Sequence, residues 1–187
     1  MKDIFTGKLV RLSAFDPEEM SKALTRWNLN SEFQRLLDCS PHRMQSTKSM
    51  LTLLEEEVGE LSPMSYFFSI RTRAEDKLIG GLNLDVVDWS AREAFVGLGI
   101  GETEYWSEGY GTDGMNILLR YAFTEINLHR VTLGVFEYNP RAIHSYEKAG
   151  FHHEGRMRKV LNREGCRWDE IYMGILREEW IGLDTWR

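Results

Sequence analysis

The 187 residues carry a net charge of −6, with 42% hydrophobic and 28% charged residues and two cysteines. This is the composition of a globular domain long enough to bury its own core, not of a disulfide scaffold. Its acidity argues against general binding to nucleic-acid phosphates and is compatible with a cationic partner such as an amine. Charged residues interrupt each apolar run before membrane-spanning length, so no membrane partner is expected. Residues 1–8 lack the apolar stretch and small-residue cleavage site of a secretory signal, and a cytoplasmic location is expected. Cys39 and Cys166 lie far apart with no metal-ligand spacing around either; they read as reduced structural thiols, and no metal is expected.

In chain order, residues 8–12 alternate enough for a first strand. Asp16 then offers an N-cap carboxylate, with Pro17 at the first helical position and Glu19 three residues past the cap. Residues 26–37 are aromatic-rich and irregular, with a break at Pro41. A second helix is predicted over about 47–57, with Met50, Leu51, Leu54 and Val58 on its apolar face. Residues 65–71 and 77–87 read as strands, and the short turn at 73–76 joins them as an antiparallel hairpin. A turn at 88–93 leads to a buried strand at 94–100. Met115, Leu118, Leu119, Ala122, Phe123 and Ile126 then recur at helical spacing. Residues 130–136 form a further strand, Asn139-Pro140 opens a helix through Ala149, and Gly150 closes it. Two last strands flank Asn162-Arg163-Glu164-Gly165. The reading is one α/β (α+β) domain over 1–187, with a mixed, largely antiparallel sheet flanked by helices, no repeats and no linker.

Between the strand at 94–100 and the helix after it lies Trp106-Ser107-Glu108-Gly109-Tyr110-Gly111-Thr112-Asp113-Gly114. Glycines let the backbone bend tightly, and a helix start presents unpaired N–H groups with a partial positive charge. Together they form an anion site suited to phosphate or pyrophosphate. The loop lacks the Gly-Lys-Ser/Thr ending that places a lysine on terminal nucleotide phosphates, which disfavours a nucleotide-phosphate loop.

Strand, Trp-x-x-Gly-Tyr-Gly-Thr-Asp and amphipathic helix together resemble the acetyl-CoA signature of the GNAT superfamily of N-acetyltransferases. About thirty residues on, Asn139-Pro140-Arg141-Ala142-Ile143-His144-Ser145-Tyr146-Glu147-Lys148-Ala149-Gly150-Phe151 is similar to the second signature of that family. The tail, with Glu154-Gly155-Arg156 and Asp169-Glu170-Ile171-Tyr172-Met173, resembles the branch of ribosomal-protein N-terminal and spermidine acetyltransferases. The resemblance implies acetyl-CoA as cofactor and a splayed strand pair, with Leu98, Gly99 and Ile100 free to pair with the pantetheine arm. Amides of Glu108, Gly109, Tyr110, Gly111, Thr112 and Asp113 would cradle the pyrophosphate, the Thr112 hydroxyl adding a donor. Asn139 would contact the cofactor as well as capping its helix. Tyr146 would return a proton to the departing thiolate, and a backbone N–H near Ile100 would hold the oxyanion.

The implied reaction is direct transfer of acetyl, through a ternary complex, to a primary amine. That amine is a protein N-terminal α-amine or a polyamine or other small amine. A non-catalytic CoA-binding sensor or scaffold of the same fold is the alternative. Asp85, on a strand expected to floor the acceptor cleft, is the first choice of base among Glu93, Glu102, Glu104 and Glu137. Trp27 and Phe33 are expected to wall the acceptor pocket, and His144, His152 and His153 read as surface or packing residues. Glu108 stands where relatives commonly carry a basic residue, beside the polyphosphate. A monomer or homodimer fits this reading.

Overall fold

A computed structural model describes residues 3–59 and 64–180; Met1 and Lys2 of the expected non-signal start lie outside them, as do residues 60–63 and 181–187 of the expected domain. Seven strands form one sheet in the order β1-β2-β3-β4-β5-β7-β6. They are β1 (Val10–Ala14), β2 (Ser65–Thr72), β3 (Leu78–Asp88), β4 (Glu93–Ile100), β5 (Arg130–Phe136), β6 (His152–Arg163) and β7 (Cys166–Leu176). Neighbouring pairs run antiparallel except β4 and β5, which are parallel and joined by the crossover helix α4 (Tyr110–Thr124).

Helices cover both faces. On one lie α1 (Pro17–Trp27), α2 (Ser31–Leu37) and α3 (Thr47–Gly59), whose Met20, Ala23, Trp27, Phe33, Met50 and Leu54 form a small core with Leu78. On the other lie α4 and α5 (Pro140–Ala149). There Met115, Leu118, Leu119, Ala122 and Phe123 of α4 are almost wholly buried, the four larger side chains each contributing about 2 kcal/mol relative to exposure. Asp16 caps α1 by accepting the amides of Glu18 and Glu19, and Gly150 closes α5 in the left-handed region at φ 99°. No described helix is long and apolar enough to cross a membrane.

One expected element differs. Residues 26–37 are not irregular: α1 runs to Trp27, and α2 begins again after Asn30, whose side chain accepts the Glu32 amide. Seven residues are too few to display a helical period, so the cap is the legible signal.

The feature that positions the site is a failure of pairing. β4 and β5 stay in register only at Glu93↔Arg130, Ala94↔Val131 and Phe95↔Thr132. Beyond that, β4 continues to Ile100 on β3, and β5 continues to Phe136 on β7. The two strands therefore part, and the β5-facing edge of β4 from Val96 onward has no strand partner.

Candidate active site

A cavity of about 1000 Å³ passes through this opening. Side chains alternate along a strand, which gives the cavity two chemically distinct ends. On one face Leu98 and Ile100 meet the start of α4 and the middle of α5; a β-carbon at Gly111 would lie 3.6 Å from Leu98 and 3.8 Å from Ser145 Oγ. On the other face Gly99 abuts α2, where an added β-carbon would sit 3.0 Å from Leu37.

At the α4 end the backbone makes an amide cradle. Gly109 takes φ 88°, a left-handed conformation that only glycine adopts without strain, and caps α4. The first helical residues, Tyr110, Gly111 and Thr112, have no intrahelical acceptor for their N–H groups. The expected cradle ran through Asp113, but that amide already donates to the Gly109 carbonyl at 2.9 Å, because the helix starts at Tyr110. The Asp113 carboxylate is also committed: it accepts the amides of Lys8, Leu9 and Val10 at 3.1, 2.7 and 2.9 Å. That bond network holds Lys8 at the rim of the cavity.

Two further members of the expected set, Glu108 and Tyr110, do not line the cavity with their side chains. Glu108 is exposed, and the Tyr110 ring packs edge-on to Tyr105 at 4.7 Å. Leu98, Gly99, Ile100, Gly109, Gly111, Thr112 and Asn139 all line it. The Ile100 carbonyl accepts the Trp106 indole N–H at 2.7 Å, so that acceptor is taken. Asn139 caps α5, its Oδ1 accepting the Ala142 amide at 3.2 Å, which leaves Nδ2 to the cavity.

Ser145 was not singled out from the sequence. Its hydroxyl lies 2.8 Å from Thr112 Oγ1, so one hydroxyl donates to the other and a proton remains for an anion. Lys8, Arg141 and Lys148 complete this end as its cations. Arg141 stacks 3.9 Å from the Trp106 ring centroid and pairs with Glu32 at 3.3 Å. Lys8 and Lys148 have no ion-pair partner among the described residues.

Tyr146 lines the middle of the cavity, only 8% exposed, with its ring tilted against Phe151. Burial pushes its phenol up to about 12, so it keeps its proton throughout the neutral range. No described residue hydrogen-bonds its hydroxyl.

The far end is apolar and acidic: Phe33, Leu36 and Leu37 of α2, Phe95 and Phe136, with the carboxylates of Asp38 and Glu170. Two expected residues are not among its walls. Trp27 lies one layer behind, buried beneath Phe33, its indole N–H donating to Glu102 at 2.9 Å and its ring filling the space beside Gly101. Asp85 lies one strand away from the opening. Its register partner is Phe95, which faces the cavity in its place, and Asp85 accepts a 2.6 Å bond from Asn83. There it neighbours Glu57 of α3, whose carboxyl is raised by burial and by the Asp85 charge. That Asp85 lies on a strand was readable; that Phe95 of the neighbouring strand would stand between it and the cavity was not. Asp38 and Glu170 carried no local signal, since one follows a short helix and the other depends on β7 lying beside β5.

Residues 10–152 match the acetyltransferase (GNAT) domain family. Among curated relatives, the probable N-acetyltransferase YjcK of Bacillus subtilis is 33% identical over 115 residues, 61% of this chain and 63% of that protein. The match thus spans slightly under two thirds of that relative. The spermidine N(1)-acetyltransferase of Vibrio cholerae is 32% identical over 108 residues, 58% of this chain and 62% of that protein. In fold, the chain resembles the Vibrio cholerae spermidine N-acetyltransferase solved with CoA and spermine. The TM-score is 0.78 at 24% identity, covering 91% of this chain and 96% of that one.

Proposed function

The chain belongs to the GNAT acetyltransferase family, and from that premise we propose that it transfers acetyl from acetyl-CoA to a primary amine of a polyamine-like cation. The observation that carries this reading is the polarity of the cavity. Its cations, Lys8, Arg141 and Lys148, gather where the α4 amides point, and the carboxylates of Asp38 and Glu170, neither with a cation partner among the described residues, lie at the opposite end among apolar side chains. A polyphosphate suits the first end. A methylene chain carrying ammonium groups suits the second, with Phe33, Leu36 and Leu37 against the methylenes.

Acetyl-CoA supplies a thioester, an acyl group already activated toward amines. The residues that would hold it are the amides of Tyr110, Gly111 and Thr112, the Thr112–Ser145 hydroxyl pair, Asn139 and the free edge of β4. Donors on that edge are also available to negative charge developing on the acetyl oxygen. Tyr146, neutral and buried in the cavity wall, would give a proton to sulfur. Apolar walls limit water at the reacting centre, which favours the amine over hydrolysis.

The test is release of free CoA thiol from acetyl-CoA with spermidine, spermine, simple alkylamines and short peptides bearing free N-termini. Polyamines are expected to turn over fastest. Turnover of peptides alone would overturn the polyamine assignment. Thermal stabilisation by CoA with no turnover of any amine would instead identify a non-catalytic CoA-binding protein.

A further inference from the structure

We infer that Glu170 receives the ammonium group of the acceptor and takes its proton, a role that rests on the acetyl-transfer reading above. Glu170 lies on β7, one strand removed from the opening, opposite Phe136 of β5, and its side chain emerges on the same face of the sheet as Phe136 and reaches the cavity wall. Its carboxylate rests on the β5 backbone at Gly134, where an added β-carbon would come within 2.5 Å of Oε1. Glycine at 134 is what leaves room for the carboxylate at the edge of the cavity.

The bonding of Glu170 sets it apart from the carboxylates around it. Glu93 and Glu154 pair with Arg130, and Glu137 and Asp169 pair with Arg156. Asp38 accepts the Ser40 amide at 2.8 Å. Glu170 has no cation partner among the described residues; the Tyr172 hydroxyl donates to Oε2 at 3.3 Å, and Oε1 is left for the cavity. Burial and the Glu170 charge both raise the Tyr172 phenol, which therefore stays a donor and orients the carboxylate. Of the titratable groups that line the same cavity, Asp38 and Cys39 follow α2 at the acidic end and Tyr146 lies between the ends, while Lys8, Arg141 and Lys148 belong to the opposite end; Tyr172 bonds Glu170 directly. Gly134 and Phe136 of β5 and Met157 of β6, its other neighbours, do not titrate. A charge left unpaired at the wall of a partly apolar cavity is stabilised by a cationic ligand.

The steps balance as follows. One ammonium N–H bond breaks, its proton passing to Glu170 Oε1 and its electron pair remaining on nitrogen. That pair forms the new N–C bond to the acetyl carbon, and the C–S bond breaks with its pair going to sulfur. Sulfur takes a proton from Tyr146, whose phenolate regains one from the new amide nitrogen. Glu170 releases the remaining proton to water. Proton acceptor and proton donor thus reach the cavity from β7 and α5, on the two faces of the sheet.

The experiment compares kcat/KM for spermidine between pH 6.5 and 10.5 in the wild type, Glu170→Gln and Glu170→Asp, with the thermal shift induced by CoA as control. Glu170→Gln is expected to lose about 100-fold near pH 7.5. The deficit should close to within about fivefold at pH 10, where an alkylamine no longer depends on a base to lose its proton. Glu170→Asp should recover part of the loss at pH 7.5, and the CoA shift should be unchanged in both. An active wild type with Glu170→Gln within threefold of it, or with a deficit that is the same at every pH, overturns this role alone. A wild type that acetylates no amine overturns the acetyl-transfer reading and this role together.

Discussion

Tyr146 should make the protein lose stability at alkaline pH in a way that one methodical substitution removes. Its folded phenol titrates at about 12 against an ordinary 10.0, because burial disfavours the phenolate. A raised folded pKa means that this contribution is present in full below pH 10 and is lost as pH rises through 12. At pH 11 the unfolded phenol is mostly ionised and the folded one mostly protonated, which lowers the unfolding free energy by on the order of 1 kcal/mol. Above both values the loss approaches about 3 kcal/mol. Tyr146→Phe abolishes the difference in proton uptake. Since no described group bonds the hydroxyl, the variant should match the wild type within about 0.5 kcal/mol at pH 8. At pH 11 it should be the more stable of the two by on the order of 1 kcal/mol. Urea denaturation at pH 8, 10 and 11 measures this. Tyr121, Tyr138 and Tyr172 are raised as well but are common to both proteins, so the difference isolates Tyr146. Parallel pH dependences in the two would refute the burial argument, and with it the reason for a neutral proton donor at this place.

Three further outcomes are expected. Gly101→Ala forces a β-carbon into the Trp27 indole and should cost about 2–3 kcal/mol in urea denaturation; an unchanged midpoint would show that Trp27 does not fill that space. Asp113→Ala leaves the Lys8, Leu9 and Val10 amides without their acceptor. It should lower stability by about 2 kcal/mol, discounted because two of the bonds are exposed, and should weaken CoA binding by freeing Lys8; calorimetry showing wild-type affinity would detach Lys8 from the site. Glu108→Lys should not weaken CoA binding, since that side chain is exposed and outside the cavity; a clear loss of affinity would mean that it faces the phosphates.

Local signals carried a large part of this protein. The Asp16 and Asn139 caps, the glycines at 109 and 150, the two-residue alternation of the strands and the helical spacing of 115–126 each act within a few residues of one another. They were therefore readable as elements, and the Trp106–Gly114 loop was readable as a glycine turn leading into a helix start. Register and strand order are different quantities, because they depend on which distant segments share an edge. The three-pair contact between β4 and β5 creates the opening. The placement of β7 against β5 brings Glu170, 36 residues beyond Gly134 in sequence, onto that glycine. The same strand order leaves Asp85 behind Phe95, and the packing of α1 leaves Trp27 behind Phe33. The amide cradle at the start of α4 is built from one contiguous loop and its helix, so the sequence by itself determined it, whereas Ser145, Lys8 and Lys148 reach that end only through the fold. The acidic, apolar end is assembled from α2, β4, β5 and β7, and only the tertiary structure could decide which of the chain's many carboxylates would reach it.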